Sequence, residues 1–520
     1  MKTEQIKTSS GVNIRFVTMK DLMILPVIGL TGISCTTVQE AKKPKNIIFI
    51  FADDLGYGDL GCYGAKPEHV RTPPLDAMAR DGIRFTDGHS PASVSTPSRY
   101  NLMTGRYSWR TWAETGNVWA NDPMLIDAGQ MTIASLLKEE GYYTGLIGKW
   151  HLGFGTPGGE NWDDMLGVDY NKKIAPGPCE VGFDYFYGMP AIGQNPNIFI
   201  HNHMVDHLET DDPIRMTLDN RPEFLTTYEN RPRLYDIRLG ITGGKKAVYD
   251  FDMGTMILTE KVVSFIDEHH DKPFFLYYAP RNVHAPVRPH PKFKGTSGIG
   301  VYGDFIHELD WSVGELLKAL EKHGLTDDTL IFFSSDNGAV AEGHRPAEYV
   351  NYHGHMANGP LRGQKTEIWE GGHRVPFIAK WPKGIKPSTV SNETIATTDM
   401  LATFAALTGR KLPDDAGQDS FNLLPAILGT KTDNKPLRPT MVNDSRQGIF
   451  SIRQGPWKLV FGEGGGGIGT EKATIDFSVR RLYNLDNDLG ELDNVIDKHP
   501  DIVKRLTSLF EDIKTSGRSR

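Results

Sequence analysis

Apolar residues recur along this chain in two alternating rhythms. Asn46-Ile47-Ile48-Phe49-Ile50-Phe51 is an unbroken apolar run, the pattern of a strand buried on both faces of a parallel sheet. Residues 131–140 carry apolar positions at helical spacing and lead into a strand over 142–148. The alternation continues with a helix over 256–269, a strand over 273–279, a long helix over 302–323 and a strand over 329–334. Such alternation predicts an α/β fold, a large α/β/α sandwich around one mostly parallel mixed sheet. From residue 439 the texture changes. Short strands over 448–453 and 457–462, the tract Gly464-Gly465-Gly466-Gly467 (read as a flexible loop) and a helix over 501–514 predict a smaller α+β domain. The domain boundaries are therefore 46–438 and 439–520.

The N-terminal stretch reads as targeting. Met19-Lys20 precede an apolar stretch over 22–34 that ends at Cys35, the order of a secretory signal. Residues 1–18 read as an extension upstream of a start at Met19, 19–35 as the signal and 36–45 as a linker. Gly32-Ile33-Ser34-Cys35 partly resembles a lipobox, which makes Cys35 a candidate lipid anchor. A plain cleaved signal stays open beside it. Either way the chain is expected to be exported, to a periplasm or as an outer-membrane lipoprotein.

Composition narrows the function. Of 520 residues, 57 are Lys or Arg and 65 Asp or Glu, a net charge of −8 with no basic tract, which argues against nucleic-acid binding. Mean hydropathy is −0.38, and no apolar run approaches the ~20 residues of a spanning helix, so a polytopic membrane protein is excluded. Three cysteines make no disulfide framework. Cys62 and Cys179 are expected to be buried thiols.

Four polar clusters each follow a predicted strand: Asp53-Asp54, Lys149-Trp150-His151, His284 and Asp336-Asn337-Gly338. Ligands of open α/β sheets bind outside the carboxyl ends of the strands. One such cluster could be a helix cap or a turn; four together point to an active site. Asp53, Asp54, Asp336 and Asn337 offer only oxygen donors, a set for a hard cation, Ca²⁺ or Mg²⁺, rather than zinc. A fifth element, Ser95-Thr96-Pro97-Ser98-Arg99, reads as the capped start of a short helix with a cation nearby, the composition of an anion site.

Ser95-Thr96-Pro97-Ser98-Arg99, continued by Leu102, Thr104, Gly105 and Arg106, resembles the modification signature of the formylglycine-dependent sulfatases, in the alkaline phosphatase superfamily. Gly148-Lys149-Trp150-His151-Leu152-Gly153 is similar to that family's second signature. Leu361-Arg362-Gly363-Gln364-Lys365-Thr366-Glu367, ending in Glu370-Gly371-Gly372, is similar to its third. The likeness runs from about residue 45 to 494.

The resemblance implies that Ser95 is converted to 3-oxoalanine (formylglycine) by a partner, an oxygen-independent radical maturase of the serine type. The chemical reason is that a plain serine sulfate has no easy exit. A hydrated aldehyde carries two hydroxyls on one carbon, so one can attack sulfur and the other can drive sulfate out. The metal set becomes Asp53, Asp54, residue 95, Asp336 and Asn337. The resemblance also implies that Arg99 holds the diol, that Lys149 and Lys365 grip sulfate oxygens, that His151 is the base for elimination and that His284 protonates the leaving alcohol. The substrate implied is an O-sulfate ester on a glycan, sulfated galactose or N-acetylgalactosamine of mucin or glycosaminoglycan. Asn202, His203, Arg288, His344, Arg345 and His353 are placed at the substrate rim by position alone. A phosphoester hydrolase of the same superfamily and a non-catalytic sulfated-glycan binder remain as alternatives.

Overall fold

The computed structural model describes residues 43–192, 196–219, 238–340, 353–467 and 473–520, and Lys43–Arg520 forms one compact unit. Cys35 and the expected leader lie outside the described residues.

The large sheet is built from β1 (Asn46–Ala52), β2 (Ile83–Phe85), β3 (Tyr143–Lys149), β4 (Tyr185–Met189), β5 (Ile200–His201), β6 (Met204–Val205), β7 (Phe274–Ala279), β8 (Thr329–Ser335), β9 (Phe377–Lys380) and β10 (Thr389–Ser391). Their spatial order is β10-β2-β9-β8-β1-β7-β3-β4-β5-β6. The five central strands β8, β1, β7, β3 and β4 run parallel. β9 joins antiparallel on one flank and β5 on the other. A parallel strand needs a crossover before its neighbour can form, which is why long helices separate these runs in sequence.

Side chains alternate between two cores. Ile47, Phe49 and Phe51 of β1 point to one face with Phe275, Tyr277 and Phe332. Ile48, Ile50, Leu276, Tyr278 and Phe333 point to the other. The first face is covered by α2 (Ser95–Thr104), α3 (Ile133–Glu139) and α6 (Met400–Thr408). The second is covered by α1 (Pro73–Arg80), α4 (Gly254–His269) and α5 (Val301–Lys322). The sandwich is the one the periodicity predicts.

A second sheet runs as an antiparallel meander of β11 (Met441–Asp444), β12 (Phe450–Gln454), β13 (Trp457–Phe461) and β14 (Arg480–Asn484). The terminal helix α7 (Pro500–Ser516) lays Leu506, Phe510 and Ile513 on Val442, Ile452, Leu459 and Leu482. The glycine tract is not the free loop expected. Gly465, Gly466 and Gly467 are buried, and the Gly465 carbonyl accepts from Ile368 N at 2.8 Å. A Cβ on Gly465 would stand 2.8 Å from Trp369 Nε1, so the small residue allows the close approach. Cys62 and Cys179 are half-buried rather than buried.

Candidate active site

The carboxyl ends of β1, β3 and β8, together with the segment after β7, deliver their side chains to one point. Asp53 and Asp54 directly follow β1, Asp336 and Asn337 directly follow β8, and Lys149 is the last residue of β3. Gly148 lets this end form. Its φ is +119°, and a Cβ there would sit 1.9 Å from Ala279 O on β7. Three non-glycine residues at the site hold left-handed backbone, Asp54 (φ 61°), His151 (φ 60°) and Thr366 (φ 77°). Strain of this kind persists only where packing over-determines it, and it collects at functional sites.

α2 brings Ser95 and, one turn later, Arg99 to the same point. Both are buried. Lys149 Nζ donates to Asp53 Oδ2 at 2.8 Å and lies 3.2 Å from Ser95 Oγ. Ser95 Oγ is 3.4 Å from Asp53 Oδ1. Arg99 donates to Asp336 Oδ2 at 2.8 Å and to the Tyr277 hydroxyl at 3.2 Å. Lys365 pairs with Asp54, whose backbone N–H donates to Asp336 Oδ1 at 3.1 Å. His284 Nδ1 donates to the Ala285 carbonyl at 2.6 Å, leaving Nε2 facing Asp54 Oδ2 at 3.9 Å.

The charges explain one another. Burial, then the Asp53 carboxylate, raises the Asp336 carboxyl above its ordinary range despite Arg99. Burial works against the Arg99 guanidinium, but Asp336, Tyr277 and Asp53 outweigh it and raise its pKa. Burial lowers the Lys149 ammonium although Asp53 opposes the shift. Burial, then the Lys149 and Arg99 charges, hold His151 well below the usual imidazole value. Both His151 ring nitrogens are buried without a hydrogen-bond partner among the described residues. A neutral imidazole, two ammonium groups and a guanidinium around one buried hydroxyl can bind a tetrahedral anion and move protons beside it.

The oxygen donors fit a hard cation. Asn337 Oδ1 is buried and has no hydrogen-bond partner among the described residues, while its Nδ2 donates to Asp54 Oδ1 at 2.9 Å. One donor atom each from Asp53, Asp54 and His284 lies within 4.8 Å of the others. Crowded carboxylates with an orphaned amide oxygen are the chemistry of an oxygen-donor cation site. A second cluster, His89, Glu370 and His373, has comparable spacing, but it is a hydrogen-bonded ion network. Lys458 Nζ sits 3.0 Å from Glu370 Oε1 and 3.2 Å from His373 Nε2. His89 is held by Asp87 at 2.9 Å and by His373 at 3.1 Å.

Ser95, Arg99, Lys149, His151, His284, Lys365, Asp53, Asp54, Asp336 and Asn337 thus converge. The local reading of 95–99 needs correction. Neither Ser95 nor Thr96 caps α2; the cap position is Val94, which makes no side-chain cap bond. Ser95 turns into the site instead, and Thr96 Oγ1 donates to the His151 carbonyl at 2.9 Å. The rim residues behave differently. Asn202 pairs with Phe186 on β4, its Oδ1 accepting from Phe186 N at 2.9 Å. That register lies toward the amino ends of the parallel strands, away from Lys149. His203 is held by Glu180 at 2.9 Å. Arg288 is exposed beside Asp252, and His353 is exposed. His344 and Arg345 lie outside the described residues. Tyr277 was missed: on β7 it read only as part of an apolar strand, though period-2 alternation puts it on the α2 face.

A family model described as Sulfatase matches residues 45–410. The chain is 38% identical over 497 residues to an N-acetylgalactosamine-6-O-sulfatase of Bacteroides thetaiotaomicron, covering 92% of this chain and 94% of that protein. It is 32% identical over 488 residues to human arylsulfatase A, covering 90% and 87%. Among solved structures, one from work on glycosaminoglycan metabolism in Bacteroides thetaiotaomicron matches with a TM-score of 0.81 and 36% identity, covering 91% of this chain and 100% of that one. A sulfatase from Pseudoalteromonas sp. matches with a TM-score of 0.68 and 26% identity, covering 92% of each.

Proposed function

The chain belongs to the sulfatase family, and from that premise we propose that it hydrolyses the 6-O-sulfate of N-acetylgalactosamine in a glycan. The observation that carries the chemistry is Ser95 Oγ, buried between Lys149 Nζ at 3.2 Å and Asp53 Oδ1 at 3.4 Å. The sugar rests on the similarity to the Bacteroides enzyme.

In this reading Ser95 is the precursor of formylglycine, made by a serine-type radical maturase. The hydrated aldehyde would supply a nucleophilic hydroxyl with a second one on the same carbon, which a plain serine lacks. Asp53, Asp54, Asp336 and Asn337, with residue 95, would hold a calcium or magnesium ion, which would supply charge neutralisation and acidify a nearby hydroxyl.

The chain's own groups do the rest. Lys149 and Lys365 hold sulfate oxygens as point charges. Arg99 keeps the residue-95 side chain and Asp336 in register. His151, neutral and without a competing hydrogen-bond partner among the described residues, accepts the proton whose loss drives sulfate out. His284 Nε2, oriented through its Nδ1 bond to Ala285 O, gives a proton to the sugar oxygen as it leaves. Phosphate-ester hydrolysis is the weaker reading, because the two-cation members of that group need more Asp and His ligands than converge here among the described residues. Export through 19–35, with or without lipid at Cys35, is part of the same proposal and rests on sequence alone.

The test is turnover by matured protein on a panel of defined sulfated monosaccharides. N-acetylgalactosamine 6-sulfate should be cleaved well ahead of its 4-sulfate isomer and of phosphate monoesters. Preference for a phosphate monoester would overturn the reading.

A further inference from the structure

Arg281 is a buried cation that no step above uses. It stands two residues past the end of β7 and three before His284, with none of its surface exposed. Its guanidinium donates to carbonyls, Nη1 to Phe251 O at 3.0 Å and Nη2 to Pro286 O at 2.8 Å. Nε is buried without a hydrogen-bond partner among the described residues. The Phe251 and Phe305 rings lie 5.2 and 5.0 Å from the guanidinium carbon. Gly254, at the start of α4, makes room, since a Cβ there would stand 2.8 Å from Arg281 Cδ. Burial works against the guanidinium charge. Glu308 offsets little of that cost, because burial pushes its carboxyl up to about 8 and keeps it mostly neutral at pH 7. A cation held out of water by carbonyls alone is expensive.

Its bonds hold the turn that carries His284. Nη2 reaches forward to Pro286 O, and the Arg281 carbonyl accepts from the His284 N–H at 3.0 Å, so residues 281–286 close on one guanidinium. Other ties set the turn's place in the site. The Asp53 N–H donates to Asn282 O at 2.8 Å, and the Val283 N–H donates to Asp53 O. The Asn282 side chain accepts from Thr255 Oγ1 at 2.8 Å and donates to Phe305 O at 3.1 Å. Past the turn, the His290 N–H donates to Glu308 Oε2 at 3.3 Å. The ring bond from His284 Nδ1 ends on Ala285 O, inside the same turn. That bond moves with the turn, so the direction of Nε2 follows from what holds 281–286.

We propose that Arg281 is a positioning residue for the reaction: its guanidinium, gripping the carbonyls of Phe251 and Pro286, fixes the turn so that His284 Nε2 meets the leaving oxygen. The inference rests on His284 being the acid, as read above, and adds a buried residue that acts only through it. A planar fork spanning two carbonyls is not replaced by the point charge of a lysine. A displaced acid costs most where the departing alcohol needs a proton, so the loss should follow the leaving group.

The test compares full-length, maturase-treated enzyme and its variants on N-acetylgalactosamine 6-sulfate and on an aryl sulfate, with turnover scaled to the converted fraction of residue 95. Arg281→Met, which keeps the stem, should lower kcat on the sugar sulfate by about 10–10²-fold, with KM little changed and a much smaller loss on the aryl sulfate. Arg281→Lys keeps the charge and can keep one of the two bonds. It should fall between, and it carries the comparison if the methionine variant fails to fold. The deciding arm is the double variant: His284→Ala with Arg281→Lys should be no slower on the sugar sulfate than His284→Ala alone, because an absent imidazole cannot be misplaced. Unchanged turnover in the Arg281 variants, equal losses on the two substrates, or losses that multiply in the double variant would overturn the inference while leaving His284 as the acid. Equal losses on both substrates from His284→Ala itself would instead remove the acid assignment, and this inference with it.

Discussion

Lys149 Nζ stands 3.2 Å from Ser95 Oγ although 54 residues separate them in the chain. The contact joins the end of β3 to the start of α2. Both residues are fully buried, and among the described residues the ammonium pairs with the Asp53 carboxylate at 2.8 Å. A charge kept out of water is costly unless it is paired; Asp53 supplies that pair and so holds the ammonium beside the hydroxyl, where a sulfate oxygen would meet it.

Lys365 should matter through the same demand. Its side chain is nearly buried and pairs with Asp54. Lys365→Ala should lower kcat/KM by about 10²–10³-fold, the scale for losing one group that stabilises developing charge. It should also abolish competitive inhibition by inorganic sulfate. Unchanged inhibition by sulfate would remove Lys365 from the binding site.

His284 makes a different prediction. Its Nε2 faces the site while Nδ1 is fixed to Ala285 O. His284→Ala should lose about 10²–10⁴-fold on a sugar sulfate and far less on an aryl sulfate, whose leaving group needs little protonation. Equal losses on both would assign the proton to another group.

The pH profile follows from His151. Burial, then neighbouring positive charges, depress its pKa, so the free enzyme carries the neutral imidazole above that lowered value. The base form is lost only as pH falls through it. The acid limb of kcat/KM should therefore fall below the ordinary histidine value of about 6.5, and His151→Ala should flatten it. A limb near or above 6.5 in the Lys149-intact enzyme would contradict the assignment.

Stability should depend on the buried network under the third signature. Lys458 bonds Glu370 at 3.0 Å and Glu491 at 2.8 Å, all three fully buried. Glu491 also accepts from the Glu370 N–H at 2.7 Å. Lys458→Met takes the ammonium from Glu491 and leaves Glu370 only its longer pairs with Arg374 at 3.4 Å and Arg453 at 3.8 Å, and should cost about 3–5 kcal/mol by denaturant titration. Adding Glu370→Gln and Glu491→Gln should recover part of that loss. Additive losses in the triple variant would mean the three do not act as one unit.

The long elements were legible because their periodicity extends over whole turns and whole strands: the 46–52 strand, the 254–269 and 301–322 helices and the 329–335 strand. Two- and three-residue strands at the sheet's flanks, such as β5, β6 and β10, carry no such signal, since their pairing partners decide them. The site was legible for a related reason, as its residues stand directly after strands or inside contiguous signatures. Tyr277 hid inside an apolar strand, and its bond to Arg99 is fixed by which face β7 turns to α2. Asn202 and His203 were misplaced because a hairpin turn's position depends on sheet register, here Tyr187 opposite His201, and register is not written in local composition.

Everything above turns on residue 95, and one measurement addresses it most directly: the mass of the Ser95-containing peptide from preparations of known specific activity. Protein made with a serine-type maturase should carry this peptide lighter by two hydrogens, in a fraction that rises in proportion to turnover, while protein made without the maturase should keep the serine mass and be nearly inactive. Full activity in a preparation whose residue 95 is still an ordinary serine would contradict the account.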